Sequence, residues 1–147
     1  MRTLIRFALV MAIAAPLTVR ASDAVKSIVK SYLEIHSALV SDKTDGVKAA
    51  AAAIGAQAER MGAKGEAMAK AAKTVEQSAD LKAARQAFAD LSDAVIAAAR
   101  AESWADVPDA NVAYCGMAKH YWIQNGEQIR NPYYGSRMLT CGEIQKR

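Results

Sequence analysis

Cysteine and histidine are scarce in this chain, with two of each in 147 residues. No Cys-x-x-Cys pair occurs, which argues against a dithiol oxidoreductase. Gly-x-Ser-x-Gly, His-Glu-x-x-His and glycine-rich phosphate loops are also missing. None of the common nucleophile or cofactor signatures is present, and the sequence predicts no enzyme. The acidic residues fall mainly on helix faces, where a solvated surface explains them. No apolar run approaches the roughly 20 residues a membrane span needs. The longest, Phe7 to Leu17, has eleven residues and contains Pro16. Nor is there a stripe of one charge sign, so no nucleic-acid footprint is visible.

The apolar run has a different meaning. Met1 to Arg6 carries two arginines, the run follows, and Thr18-Val19-Arg20-Ala21 ends on small residues at the two cleavage-specificity positions. That is the pattern of a cleaved secretory signal over residues 1–21. No cysteine follows it, so a lipid anchor is not indicated. The mature chain is expected to start at Ser22, in the periplasm, without a membrane span. Removal of the signal takes Arg2, Arg6 and Arg20 and no acid, so the formal charge falls from +4 to +1. The remaining 126 residues suit a single domain, 22–147.

Alanine supplies 33 residues and much of the nominal hydrophobicity. It contributes helix propensity more than buried area. Ile28, Tyr32, Ile35 and Leu39 recur at helical spacing, flanked by Val25, Val29 and His36, and predict an amphipathic helix over 24–40. His36 reads as a half-buried packing residue. A second helix is expected over 46–61, with Val47, Ile54, Ala58 and Met61 inward, and a third over 66–74. Leu81, Phe88 and Val95 are seven apart and interleave with Ala84, Leu91 and Ala98, a seam along a helix over 79–100 capped by Ser78. Large residues facing alanines and short polar breaks predict an all-α fold. Its form is an antiparallel up-and-down bundle of three or four helices.

Aromatic residues are few, but six of the nine (Trp104, Tyr114, Tyr121, Trp122, Tyr133, Tyr134) lie in the last third. The chain therefore divides into alanine-rich helices over 22–103 and an aromatic tail over 104–147. The tail is expected to be loop-rich and docked on the bundle, with a short helix within Tyr114–Gln124 and turns at Asn125-Gly126 and Asn131-Pro132. Cys115 and Cys141 are an even pair in a secreted chain, which favours a disulfide. They do not come alone. Cys115-Gly116-Met117 and Met138-Leu139-Thr140-Cys141 present thiol and thioether sulfurs, with His120 three residues after Met117. Such donors favour Cu(I) or Ag(I) over hard cations, and a zinc site would want more Cys or His. The competing explanation is structural: methionines fill core gaps, and Trp122, Tyr133 and Tyr134 dock the tail on the bundle.

The segments VAYCGMAKHYW and EQIRNPYYGSRMLTCGEI resemble the signature of a bacterial family of unknown function. That family occurs alone in secreted proteins and appended to periplasmic adaptor subunits of copper and silver efflux pumps. Its pattern runs Tyr-Cys-Pro-Met-Ala, a Trp, Ile-x-Asn-Pro-Tyr-Tyr-Gly and Met-Leu-x-Cys-Gly. The matching positions are Tyr114, Cys115, Met117, Ala118, Trp122, Ile129, Asn131 to Gly135, Met138, Leu139, Cys141 and Gly142. Gly116 replaces the proline, loosening the backbone between the two sulfur residues. The resemblance implies a helical periplasmic domain linked to copper or silver handling, with an efflux adaptor as partner.

Two functions compete at this point. In the first, the protein binds Cu(I) or Ag(I) through Met117 and Met138, with Cys115 and Cys141 as thiolates when reduced and His120 as an auxiliary ligand. In the second, Cys115 and Cys141 form a disulfide, and Trp122, Tyr133 and Tyr134 serve an interaction module without metal.

Overall fold

The structure, a computed structural model, describes residues 21–101 and 109–146. The candidate signal, Ala21 excepted, and Trp104 lie outside the described residues. Four helices come first: α1 (Ala21–Val40), α2 (Val47–Arg60), α3 (Glu66–Glu76) and α4 (Leu81–Ala101). Each packs on the next, and α4 returns against α1. The seams named from periodicity face inward. Ile28, Tyr32, Ile35 and Leu39 of α1 are buried, as are Ala84, Phe88, Leu91 and Val95 of α4. Between them the Tyr32 and Phe88 rings stack with centroids 4.7 Å apart.

Alanine sets how closely the helices approach. Ala50, Ala51 and Ala58 of α2 and Ala71 and Ala72 of α3 are buried around Ile54 and Met68. At the turn between these helices a Cβ on Gly65 would lie 1.9 Å from the Ala58 carbonyl oxygen, so only glycine fits. The start of α4 differs from expectation. Asp80, not Ser78, caps it: the Asp80 carboxylate accepts from the Ala83 N–H at 2.8 Å, while the Ser78 hydroxyl donates back to the Val75 carbonyl.

The all-α expectation is overturned by the tail, which contains a three-stranded antiparallel sheet. Its strands are β1 (Ala110–Cys115), β2 (His120–Asn125) and β3 (Glu143–Ile144), in the order β2-β1-β3. The short helix expected within Tyr114–Gln124 is instead a β-hairpin, pairing Val112 with Ile123, Ala113 with Trp122, Tyr114 with Tyr121 and Cys115 with His120. The physical reason lies in residue type. β-branched and aromatic side chains at 112, 114, 121, 122 and 123 pack well on a pleated surface, and cross-strand pairs such as Tyr114–Tyr121, with ring centroids 4.6 Å apart, reward pairing. The four-residue connection closes with the Lys119 N–H on the Cys115 carbonyl at 2.7 Å, and Lys119 takes the left-handed position at φ 59°.

Strand β2 is an edge of the sheet and lies against the bundle. Two of its outward backbone groups are met by tyrosines. The Ile123 N–H donates to the Tyr32 hydroxyl at 3.2 Å, and the Tyr133 hydroxyl donates to the Tyr121 carbonyl. These bonds, with the packing of β2 on α1 and α4, occupy an edge that would otherwise offer itself to another strand.

Candidate functional site

Cys115 and Cys141 form a disulfide, with Cα atoms 5.9 Å apart. The bond joins the end of β1 to the tail segment that leads into β3. The other donors named from the sequence gather about it through local structure. His120 is the direct cross-strand partner of Cys115, so the two side chains leave the same face of the hairpin. Met138 shares a turn with Cys141, whose N–H donates to the Met138 carbonyl at 3.1 Å. Met117 stands in the turn after Cys115, and at 64% exposure it is far more open than a core methionine. Gly116 is not demanded by that turn, since its φ is not positive and a Cβ there would meet nothing within 4 Å.

The sulfur atoms are not equivalent. Both cysteine sulfurs are committed to the disulfide, and Cys115 is fully buried, with its Sγ accepting from the Ala118 N–H at 3.5 Å. Met117 presents its thioether to solvent. His120 is partly buried, its ring 5.3 Å from that of Tyr133. No acidic residue occurs between Tyr114 and Trp122. Among the described residues no group of three or more His, Cys, Asp or Glu side chains is placed to hold a metal ion.

Of the aromatic residues expected to dock the tail, Trp122 and Tyr133 face inward. Trp122 is fully buried and Tyr133 is 9% exposed, while Tyr134 is half-buried. Tyr133 sits between the tail and the bundle, 6.1 Å from Phe88 and edge-on to Trp122 at 6.0 Å. Burial pushes the phenol pKa of Tyr133 well above its ordinary value, and that of Tyr32 likewise, so both hydroxyls keep their protons. The protons then have a consistent order. Tyr32 donates to Ser92 at 2.6 Å, Ser92 donates to the Phe88 carbonyl at 2.8 Å, and Tyr133 donates to Tyr121 while lying 3.2 Å from Ser92.

Three further polar residues fix the tail, and periodicity did not single out their roles. Gln124 accepts from the Trp122 indole N–H and the Arg130 N–H, and donates to the Gln128 carbonyl at 2.8 Å. Asn131 accepts from the Tyr133 and Tyr134 N–H groups and donates to the Cys141 carbonyl, which gives the Asn-Pro turn its shape. His36 donates from Nε2 to the Arg130 carbonyl at 2.9 Å, and burial lowers its pKa to about 4. It therefore stays neutral, as a clamp between α1 and the tail.

A last anchor joins the α1–α2 turn, α4 and the tail. Arg85, its side chain 11% exposed, donates to Asp42 and to the Leu39 and Pro132 carbonyls. Asp42 also accepts from the Ser136 N–H, and Ser136 and Arg85 together lower its pKa to about 2. Gly135 beside it has φ 54°, and a Cβ there would strike both Arg85 and Asp42 at 2.1 Å.

The family model described as a protein of unknown function (DUF3347) matches residues 28–105. This chain belongs to that family. The DUF3347 match runs from within α1 through α4, the helical frame on which the hairpin rests, and ends before β1 and the cysteines of the tail. No curated protein and no solved structure matches the chain.

Proposed function

We propose that the protein is a periplasmic accessory of copper or silver efflux or sequestration, and that it takes up the soft ion at the hairpin tip beside the disulfide. The observation that carries this reading is the exposed Met117 thioether, on a turn whose next strand opens with His120. Neutral sulfur and imidazole donors suit a soft monovalent ion, and the lack of acids in the segment makes it a poor site for hard cations. With Cys115 and Cys141 oxidised, Met117, Met138 and His120 are the donors that remain, which implies weak and readily exchanged binding. Reduction would add two thiolates to the same locality. The resemblance of the tail to segments found on copper and silver efflux adaptors supports such an adaptor as the partner.

Silver titration of the oxidised protein, followed by calorimetry and by the His120 ring resonances, tests this. Saturable binding of one ion is expected, abolished in Met117→Leu/Met138→Leu with the thermal midpoint nearly unchanged, because leucine conserves volume. Unchanged affinity in that double variant would remove both methionines from the site.

The disulfide itself favours a second reading, a stapled interaction module without metal. Its contact surface would be the outer ring pair of Tyr114 and Tyr121 with Met117, since Tyr121 is 40% exposed and Tyr133 and Trp122 are turned inward. Absence of any silver binding, oxidised or reduced, would leave this reading in place.

A further inference from the structure

A cavity of about 520 Å³ opens where the tail crosses the first turns of α4, lined by Leu81, Lys82, Arg85, Gln86, Tyr133 and Arg137. Residues 81, 82, 85 and 86 share one face of the helix by their spacing. Tyr133 and Arg137 reach the cavity from the tail, more than forty positions later. The fold thus gathers three cations about one concavity, and they differ in what they already hold. Arg85 is already paired with Asp42 and bonded to two carbonyls. Lys82 and Arg137 form no ion pair among the described residues, and Arg137 lies 6.0 Å over the Tyr134 ring.

Two unpaired cations facing a recess with low-dielectric walls focus a positive potential there. The interior is not polar: the Leu81 side chain and the Tyr133 ring form the apolar part of the wall. A recess of this size falls within the range of roughly 300–1,000 Å³ typical of small-molecule sites.

We propose that this cavity binds an organic monocarboxylate with an apolar body. The carboxylate lies between Lys82 and Arg137, with the Gln86 amide as a further donor, and the apolar body rests on Leu81 and Tyr133. An inorganic anion would leave the apolar wall unused, and an uncharged alcohol would leave the cations unpaired. The site shares no residue with the sulfur donors, so it stands or falls independently of soft-ion binding.

Hexanoate is the probe, read by amide chemical shifts of the full mature protein, with hexanol and sulfate as controls. Saturable shifts are expected at Lys82, Gln86 and Arg137, with hexanol and sulfate at least about tenfold weaker, a difference of the size one lost charge pairing produces. Lys82→Glu/Arg137→Glu changes two exposed side chains; its thermal midpoint reports the fold, and its hexanoate affinity is expected to fall at least about tenfold. Should the double variant lose its fold, Lys82→Gln and Arg137→Gln, made singly, serve in its place. Shifts that fail to saturate, that either control reproduces, or that persist in a folded variant overturn the proposal.

Discussion

Replacing Ser92 by alanine takes away the acceptor of the Tyr32 hydroxyl in a site with no water-facing alternative, since Tyr32 and Ser92 are both fully buried. The cost is expected at about 1–3 kcal/mol, the penalty of an unsatisfied buried donor. A lower urea midpoint with an unchanged slope would show it, and an unchanged midpoint would mean that the phenol finds another partner. Ser92 carried no helical-seam signal, because a hydroxyl inside a buried stripe reads as a break in the pattern. Its meaning depends on two tyrosines 60 residues upstream and 41 downstream, and no local window holds all three. His36 was legible as a flanking residue of the α1 seam, but its partner, a backbone carbonyl 94 positions away, was not.

At the scale of elements, the four helices were written plainly in the sequence. Leu, Ile, Val and Phe at helical spacing identify a buried face even when alanine dilutes the pattern. The hairpin reads locally as a short helix, because Met117 and His120 three apart also satisfy a helical spacing over so short a run. What decides for strands is the register across the turn and the docking of β2 on the bundle, both of which are tertiary. The residues named as donors therefore stand in a different local geometry from the one expected: His120 meets Cys115 across strands, not Met117 along a helix. The disulfide ties this hairpin to the final segment. Cys115→Ala/Cys141→Ala is expected to lower stability by about 3.5 kcal/mol on the chain-entropy account of a 26-residue separation. Equal denaturation midpoints for this variant and the oxidised parent would show that the tail is held by its rings and hydrogen bonds alone.

For the whole molecule, the clamp between bundle and tail sets a pH dependence. His36 has a folded pKa of about 4 against an ordinary 6.5, so between these values the unfolded chain binds the extra proton. Stability then rises with pH across that window: it is complete above 6.5 and is lost as the pH falls toward 4. The loss is on the order of 3 kcal/mol. Asp42, held near 2, adds a second decline in more acid solution, present above the ordinary carboxylate range and lost as the pH falls toward 2. His36→Gln retains a donor for the Arg130 carbonyl and removes the titration. Thermal midpoints of this variant should be flat between pH 6.5 and 4, where the parent's decline; parallel profiles would assign the decline to other groups.

The disulfide also makes residues 115–141 a closed covalent ring that encloses the β1–β2 turn, all of β2, and the turns around Asn131 and Gly135. A protease cutting at Arg130 or Arg137 opens that ring without releasing anything, because the two pieces stay joined through sulfur. Damage within the tail is thus uncoupled from loss of the tail, and the segment of chain that carries the exposed thioether is also one that survives a single cut.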